Sequence, residues 1–149
     1  MYDDPKMTKS LTLTPPTPQK IVDNIYKKFT KAAIGWWAIV YNDEMVGAMH
    51  LSSCATEYSK TKMGHVGSFG IIVESQNWGK GIGKKAMRFL IDTARKQNIK
   101  RLELEVFSGN SRGIALYEGL GFKIEGVQKK RIKNKNGYED TIMMAKWLR

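Results

Sequence analysis

Three glycines alternate with other residues in the segment 78–84, which reads Trp-Gly-Lys-Gly-Ile-Gly-Lys. An apolar run at 69–73 precedes it and an amphipathic run ending at Gln97 follows it, which predicts a strand, a loop and a helix. Glycine lets a backbone approach a ligand closely, and the start of a helix offers unpaired N–H groups and the positive end of the helix dipole. The segment therefore predicts a loop that holds phosphate oxygens, although a tight turn without a ligand also fits the glycines.

The spacing within this loop excludes two well-known phosphate-binding motifs. A P-loop places four residues between its first glycine and its Gly-Lys pair and continues with Ser or Thr. Here three residues separate Gly79 from Gly83, and Lys85 follows Lys84. The dinucleotide fingerprint G-x-G-x-x-G fails as well, because its third glycine would come one residue after Gly83. We therefore expect a phosphate group that is bound but not cleaved.

The composition describes an ordinary globular protein. The chain has 149 residues, of which 42% are hydrophobic and 26% are charged, so we expect one domain over 1–149, with residues 1–9 disordered. No apolar run approaches the roughly 18 residues of a membrane span, and the N-terminal residues lack the apolar segment of a signal peptide. A single cysteine, Cys54, excludes an internal disulfide. These features predict a cytoplasmic protein that does not contact a membrane.

The net charge of +11 is concentrated in two segments. Residues 79–101 contain eight Lys and Arg against Asp92 alone, and residues 120–149 contain eight against three acids. Positive charge behind the glycine loop suits a phosphate-rich cofactor. A basic RNA- or ribosome-binding module is the alternative, and it is less favoured because aromatic residues do not alternate with basic ones along a single predicted sheet.

Hydrophobic periodicity and turn residues predict the order of the elements. A short strand is expected at 10–14, and a helix begins at Gln19 and ends near Gly35. We then expect a hairpin of strands 36–41 and 45–53, a polar connection at 55–64, a strand at 66–73, a helix at 82–97 and a strand at 101–107. A short helix follows, capped by Asn110 and closed by Gly121. The last element is a hairpin of strands 122–133 and 138–148 that turns at Asn136-Gly137 with type I′ geometry.

Two carboxylates, Glu103 and Glu105, lie on one face of the strand 101–107, whose other face is apolar. A buried carboxylate costs free energy unless it has a use, so both are candidate general bases, and surface salt bridges are the alternative. The two histidines, His50 and His65, do not have metal-ligand spacing to each other or to Cys54. We expect no metal site.

Together these residues resemble the GNAT superfamily of acyl-CoA N-acyltransferases, and among them the bacterial ribosomal-protein and small-amine N-acetyltransferases. Two motifs carry the resemblance: the strand 71–73 leading into 78–84, and the segment 110–122, Asn-Ser-Arg-Gly-Ile-Ala-Leu-Tyr-Glu-Gly-Leu-Gly-Phe. The resemblance implies a three-layer α/β/α fold with a mixed, largely antiparallel sheet of six to seven strands and flanking helices. The first loop position is Trp78, where Gln or Arg is common.

The resemblance also implies an activity and a site. The activity is transfer of the acetyl group of acetyl-CoA directly to a primary amine of an amino acid, a small amine or a protein N-terminus. The backbone of the predicted strand would pair with the pantetheine arm, the loop would cradle the pyrophosphate, and an amide side chain would reach the cofactor. By similarity these residues are Ile71, Ile72 and Val73 for the arm, Gly79, Lys80, Gly81, Ile82, Gly83 and Lys84 for the pyrophosphate, and Asn110 for the amide.

By the same resemblance, Tyr117 protonates the departing thiolate and Glu105 is the general base, with Glu103 or ordered water as alternatives. An N–H near Ile72 would meet the oxyanion. The family places two helices between its first two strands where this sequence predicts one, and those helices wall the acceptor site. The acceptor amine, the length of the acyl group, a role on aminoacyl-tRNA and the choice between monomer and homodimer therefore stay open.

Overall fold

The computed structural model describes residues 33–55 and 60–149. The predicted strand at 10–14, the predicted disorder at 1–9 and most of the helix predicted from Gln19 lie outside these residues. The elements in chain order are β1 (Ala33–Tyr41), β2 (Glu44–Ser53), α1 (Lys60–Met63), β3 (Val66–Val73), a 3-10 turn (Ser75–Asn77), α2 (Ile82–Lys96), β4 (Arg101–Phe107), α3 (Ser111–Gly119), β5 (Lys123–Asn134) and β6 (Gly137–Trp147).

Strands β3 and β4 have the predicted bounds, and α2 ends one residue before its predicted end. The prediction that the first helix continues to Gly35 is wrong, because Ala33 already begins β1. Gly35 is needed there for packing: a Cβ atom at this position would lie 2.3 Å from the ring of Trp37, which is buried. The polar connection predicted at 55–64 contains the one-turn helix α1.

The strands form one six-stranded sheet in the order β1-β2-β3-β4-β6-β5. Among the described strands only β3 and β4 run parallel, and the other neighbours are antiparallel. This confirms the predicted mixed, largely antiparallel α/β fold. The parallel ladder is short, since it joins Val66–Ser68 to Arg101–Glu103 and pairs no residue beyond them. A gap therefore opens between 69–73 of β3 and 104–107 of β4.

One face of the sheet is covered by α2 and α3. Helix α2 buries residues at helical spacing, and they share a core with the alternate residues Leu102, Leu104 and Val106 of β4. Helix α3 joins this core through Tyr117, and Gly83 of α2 lies against Leu116 of α3. The other face of β4 presents Glu103 and Glu105, as predicted. No helix among residues 33–55 and 60–149 is long and apolar enough to cross a membrane.

The turns of the two hairpins differ from each other, and the second differs from the prediction. Asn42 and Asp43 in the first hairpin both have positive φ, 52° and 65°, which type I′ geometry requires. The type I′ turn predicted at Asn136-Gly137 is wrong, because Gly137 has positive φ and Asn136 does not. The side chain of Asn134 explains the difference: its Oδ1 accepts a hydrogen bond from the N–H of Asn136 at 2.9 Å, which stabilises an Asx turn.

Strand β5 contains a bulge between Gln128 and Ile132. Lys130 within it has φ of 53°, and its N–H donates to Asp140 at 2.7 Å. The Nζ of Lys129 donates to the other oxygen of Asp140 at 2.9 Å. These contacts hold the pKa of Asp140 below its ordinary value, with the hydrogen bond from the Lys129 side chain as the largest cause. The bulge is thus fixed by one carboxylate on the partner strand.

Substituting glycine in this hairpin should distinguish the bulge from the regular ladder. Lys130→Gly removes the strain of a left-handed residue, which offsets the chain entropy that glycine adds, so the free energy of unfolding should change little or rise. Lys133→Gly, in the regular ladder opposite Tyr138, should lower that free energy by about 0.5–1 kcal/mol. Urea titrations of both variants make the comparison, and an equal loss would contradict the bulge geometry.

Candidate functional site

The exposed edge of β3 is the first component of the site. The N–H of Glu74 donates to the carbonyl of Val46, and the N–H of Cys54 donates to the carbonyl of Val66, so even-numbered residues of β3 face β2. By the alternation of the strand, the backbone groups of Ile71 and Val73 face the gap beside β4. They have no strand to pair with among the described residues, which makes this edge able to accept an extended ligand.

The direction of each backbone group decides which atoms of 71–73 can contact a ligand in the gap. The N–H and C=O of Ile72 point towards β2, where Ile72 pairs with Ala48. Of the N–H groups near Ile72, those of Ile71 and Val73 face the gap, and the oxyanion contact stays a prediction. The side chain of Ile72 still lines the site and is 69% exposed.

Trp78 connects the loop to this edge. Its indole Nε1 donates to the carbonyl of Val73 at 2.8 Å, so one of the two backbone groups of Val73 is already satisfied and its N–H faces the gap. The guanidinium of Arg112 lies 5.0 Å from the centre of the Trp78 ring, within cation–π distance. Trp78 and Arg112 thus join the end of β3 to the first turn of α3 across the mouth of the site.

The glycine loop leaves the start of α2 open. Gly79 and Gly81 have φ of 77° and 76°, and a Cβ atom at either would meet no atom within 4 Å. Gly81 is the N-cap of α2, and as a glycine it has no side chain to accept a hydrogen bond from the first turn. The leading N–H groups of α2 therefore point into free space, which is the arrangement that binds phosphate oxygens.

These parts surround a cavity of about 360 Å³. Of the twelve predicted site residues, ten line it: Ile71, Ile72, Val73, Gly79, Gly81, Ile82, Gly83, Lys84, Asn110 and Tyr117. The two that do not are Lys80 and Glu105. The structure thus brings the cofactor loop, the strand edge and the predicted acid together, and it leaves the predicted base outside the cavity.

Lys80 points away from the cavity. Its Nζ donates to Oδ1 of the buried Asn77 at 2.9 Å and lies 5.6 Å from the centre of the Tyr41 ring. Because Asn77 lines the cavity and belongs to the 3-10 turn before the loop, Lys80 supports the loop from behind. The structure holds the Lys80 side chain at Asn77, and the contact of Lys80 with the pyrophosphate stays a prediction.

Tyr117 and Asn110 are both supplied by α3. Oδ1 of Asn110 accepts from the N–H of Gly113 at 2.9 Å, which confirms the predicted cap. Tyr117 is only 9% exposed and packs edge-on against Phe69 and Phe122, each with ring centres 5.9 Å away. Burial raises the pKa of Tyr117, so its hydroxyl remains protonated well above neutral pH and can donate a proton or a hydrogen bond into the cavity.

The two carboxylates of β4 are held differently. Glu103 accepts from Arg101 Nε at 3.4 Å and from the thiol of Cys54 at 3.6 Å. Glu105 has one long ion pair, 3.5 Å to Nε of Arg131, and its side chain is 42% exposed. Since the last β3–β4 pair is Ser68 with Glu103, Glu105 lies two residues further on, at the rim of the gap. The less constrained carboxylate is thus the one beside the gap.

Sequence reasoning missed five lining residues: Asn77, Trp78, Arg112, Gly113 and Leu116. Trp78 stands within the glycine segment, but its indole bond to Val73 depends on the 3-10 turn that brings it back to β3. Arg112 lies two residues after the cap Asn110, and that spacing in the first helical turn is the signal that indicates a side chain near the cavity. Among the described residues, no group of three His, Cys, Asp or Glu is arranged as metal ligands.

Comparison with known proteins agrees with this architecture. The sequence profile of the acetyltransferase (GNAT) family matches residues 5–122. The profile covers most of the chain. The chain belongs to the GNAT acetyltransferase family.

Two curated relatives match part of the chain. The [ribosomal protein bS18]-alanine N-acetyltransferase of Escherichia coli (strain K12) is 36% identical over 77 residues, which is 52% of each chain. The L-amino acid N-acetyltransferase AaaT of the same strain is 34% identical over 88 residues, 58% of this chain and 54% of that protein. The chain matches about half of the length of these curated relatives.

A solved structure supports the fold. The GNAT superfamily phosphinothricin acetyltransferase of Sinorhizobium meliloti, crystallised in complex with acetyl-CoA, superposes with a TM-score of 0.75 at 18% identity. The superposition covers 91% of this chain and 71% of that one. At this identity, the likeness extends to the fold.

Gly81→Val should abolish CoA binding, because a branched side chain strains a residue at φ of 76° and fills the space above the helix start. Isothermal titration with CoA measures the loss, and circular dichroism verifies the fold. Gly126→Val is the matched control, since a Cβ atom there also meets nothing within 4 Å and φ is not positive. Unchanged affinity in the Gly81 variant would show that the loop does not contact the ligand.

Proposed function

We propose that the protein is an acetyl-CoA-dependent N-acetyltransferase that acts on a primary amine. The observation that carries the proposal is the open edge of β3, which leads directly into the glycine loop and the uncapped start of α2 within one cavity. An extended arm with amide groups and a charged diphosphate end matches this sequence of surfaces. The acetyl-CoA complex of the Sinorhizobium meliloti structure has the same fold.

Different residues of the site bind different parts of acetyl-CoA. The C=O of Ile71 and the N–H of Val73 pair with the amides of the pantetheine arm, as an added strand would, and the N–H of Ile71 is left for the oxyanion. The N–H groups from Gly79 to Lys84 hold the pyrophosphate at the positive end of α2, and Lys84 adds a charge. The capping bond uses Oδ1 of Asn110, so the amide nitrogen of this side chain is available to contact the arm.

The reaction is a direct transfer with balanced bonds. The neutral amine attacks the thioester carbonyl, a C–N bond forms, and an N–H of the β3 edge stabilises the oxyanion. The C–S bond then breaks, and the Tyr117 hydroxyl donates a hydrogen bond or its proton to the departing thiolate. The cationic nitrogen of the tetrahedral adduct loses one proton to the base. If Tyr117 gives its proton to the thiolate, the proton on the base returns to Tyr117 through solvent, so the acetylated amine and CoA form with no change in net charge.

Glu105 is the base we propose. It stands at the rim of the gap, whereas Glu103 is engaged by Arg101 and Cys54. A single ion pair of 3.5 Å to an exposed Arg131 is weak enough to exchange for a substrate amine. The carboxylate does not line the cofactor cavity, which fits a group that approaches the thioester from the acceptor side.

The acceptor class is the α-amine of an amino acid or of a protein N-terminus, in keeping with the activities in the names of the two curated relatives. Thiol release from acetyl-CoA in a panel of free amino acids, N-terminal peptides and polyamines tests the proposal. Release with the first two classes is expected, and release with none of the three would overturn it. Polyamines are disfavoured by the cationic hairpin around Arg131.

Tyr117→Phe should keep cofactor affinity and lower kcat by about 10²–10⁴-fold, because it removes a donor that acts when the thiolate departs. The raised pKa of Tyr117 also predicts that kcat in the native protein holds to pH above ~10, the ordinary value of tyrosine, before an alkaline limb begins. Tyr138→Phe, on the exposed hairpin, is the control. If kcat is unchanged in the Tyr117 variant, the ring serves packing only.

Glu105→Gln keeps volume and removes basicity, so kcat/KM should fall by about 10²-fold near neutral pH and recover partly at high pH, where more of the amine is neutral. Glu103→Gln should do much less, since its carboxylate is occupied by Arg101. Steady-state rates across pH 6 to 10 separate the two. Equal small effects, with an acidic limb retained in both, would assign the proton to ordered water.

A further inference from the structure

A second cleft lies at the other end of the molecule from the cofactor cavity. It is formed where α2 ends, where β4 and β5 begin, and where β6 ends, and it has a volume of about 520 Å³. The lining residues are Arg95, Arg101, Gly121, Lys123, Glu125, Ala145, Lys146, Trp147 and Arg149. It shares no residue with the cofactor cavity. Since α2 has 15 residues, its two ends are about 22 Å apart.

The charge of this cleft is strongly unbalanced. Its single carboxylate, Glu125, is held by Arg101, whose Nη1 donates to it at 2.9 Å. Arg95 is paired with Asp92 outside the cleft. The remaining three cations, Lys123, Lys146 and Arg149, have no ion-pair partner among the described residues. Three unmatched cations in a concave surface concentrate anions there.

An aromatic side chain stands beside these cations. Trp147 is 58% exposed, although it lies in the regular ladder of β6. It pairs across the ladder with Arg101, and the ring of His65 lies 6.1 Å from it. By the strand register Lys123 lies on the same face of the sheet as Trp147, while Lys146 lies on the other face. An exposed indole on one face with a lysine offers a stacking surface and a phosphate contact together.

We propose that this cleft binds single-stranded nucleic acid, with phosphates at Lys123 and Arg149 and a base stacked on Trp147. A free phosphate or an acidic peptide would contact the cations but would not stack on the indole. A duplex keeps its bases stacked internally and cannot offer one to Trp147. The proposal goes beyond acetyl transfer, and it does not depend on the cofactor cavity.

The test is fluorescence anisotropy of labelled decauridylate and decathymidylate with the full chain in low salt. Binding should weaken steeply as salt rises, because counterions are released from the phosphates. Lys123→Glu combined with Arg149→Glu should weaken it by tenfold or more. The control exchanges the same charge elsewhere: Lys133→Glu with Lys135→Glu, at the exposed tip of the C-terminal hairpin, should have a much smaller effect.

Stacking is tested separately. Trp147→Leu should weaken binding by about tenfold, the scale of one base stacked on an aromatic ring, while Tyr138→Leu removes an equally exposed aromatic at the hairpin tip and should not. Thermal melts verify that each variant is folded, and CoA affinity should be the same in all of them.

Three results would overturn the proposal: neither oligonucleotide binds, the cleft and tip charge reversals weaken binding equally, or Trp147→Leu binds as the native protein does. Equal binding to phosphatidylserine vesicles, lost in the same variants, would also overturn it. Because CoA affinity is measured on the same samples, failure here is distinguishable from failure of the acetyltransferase proposal.

Discussion

The early end of the β3–β4 ladder is the constraint on which the site depends. Parallel pairing stops at Ser68 and Glu103, yet β3 continues to Val73. Backbone N–H and C=O groups without a partner are costly when they lose water, so the strand edge needs either solvent or a ligand with amide groups. The indole of Trp78 satisfies the carbonyl of Val73 and leaves the rest of the edge available.

The same constraint separates the two chemical roles. Tyr117 lies on the side of the gap covered by helices and is buried between Phe69 and Phe122. This burial raises the pKa of its hydroxyl, which therefore stays protonated. Glu105 lies on the opposite face of β4, exposed and only weakly paired with Arg131. In the proposed reaction, Tyr117 would donate a proton and Glu105 would accept one.

Local patterns were sufficient for most of the elements and for the glycine loop, the helix start and the Asn110 cap that line the cavity. Glycine spacing, the periodicity of α2 and the Asn110 cap all act within a few residues, so the sequence predicts them directly. What these patterns did not reveal depends on side chains meeting across the fold. The side chain of Asn134 stabilises the turn before Gly137. Asn77 accepts a hydrogen bond from the side chain of Lys80. The 3-10 turn places the indole of Trp78 against the carbonyl of Val73 in β3.

The most direct measurement of the central claim is amide hydrogen exchange at β3, resolved by residue, with and without acetyl-CoA. The N–H of Ile72 faces β2 and should be protected in both states. The N–H groups of Ile71 and Val73 should exchange rapidly in the free protein and become protected when acetyl-CoA is bound. Protection of all three before the cofactor is added, or rapid exchange at Ile71 and Val73 in its presence, would contradict the account.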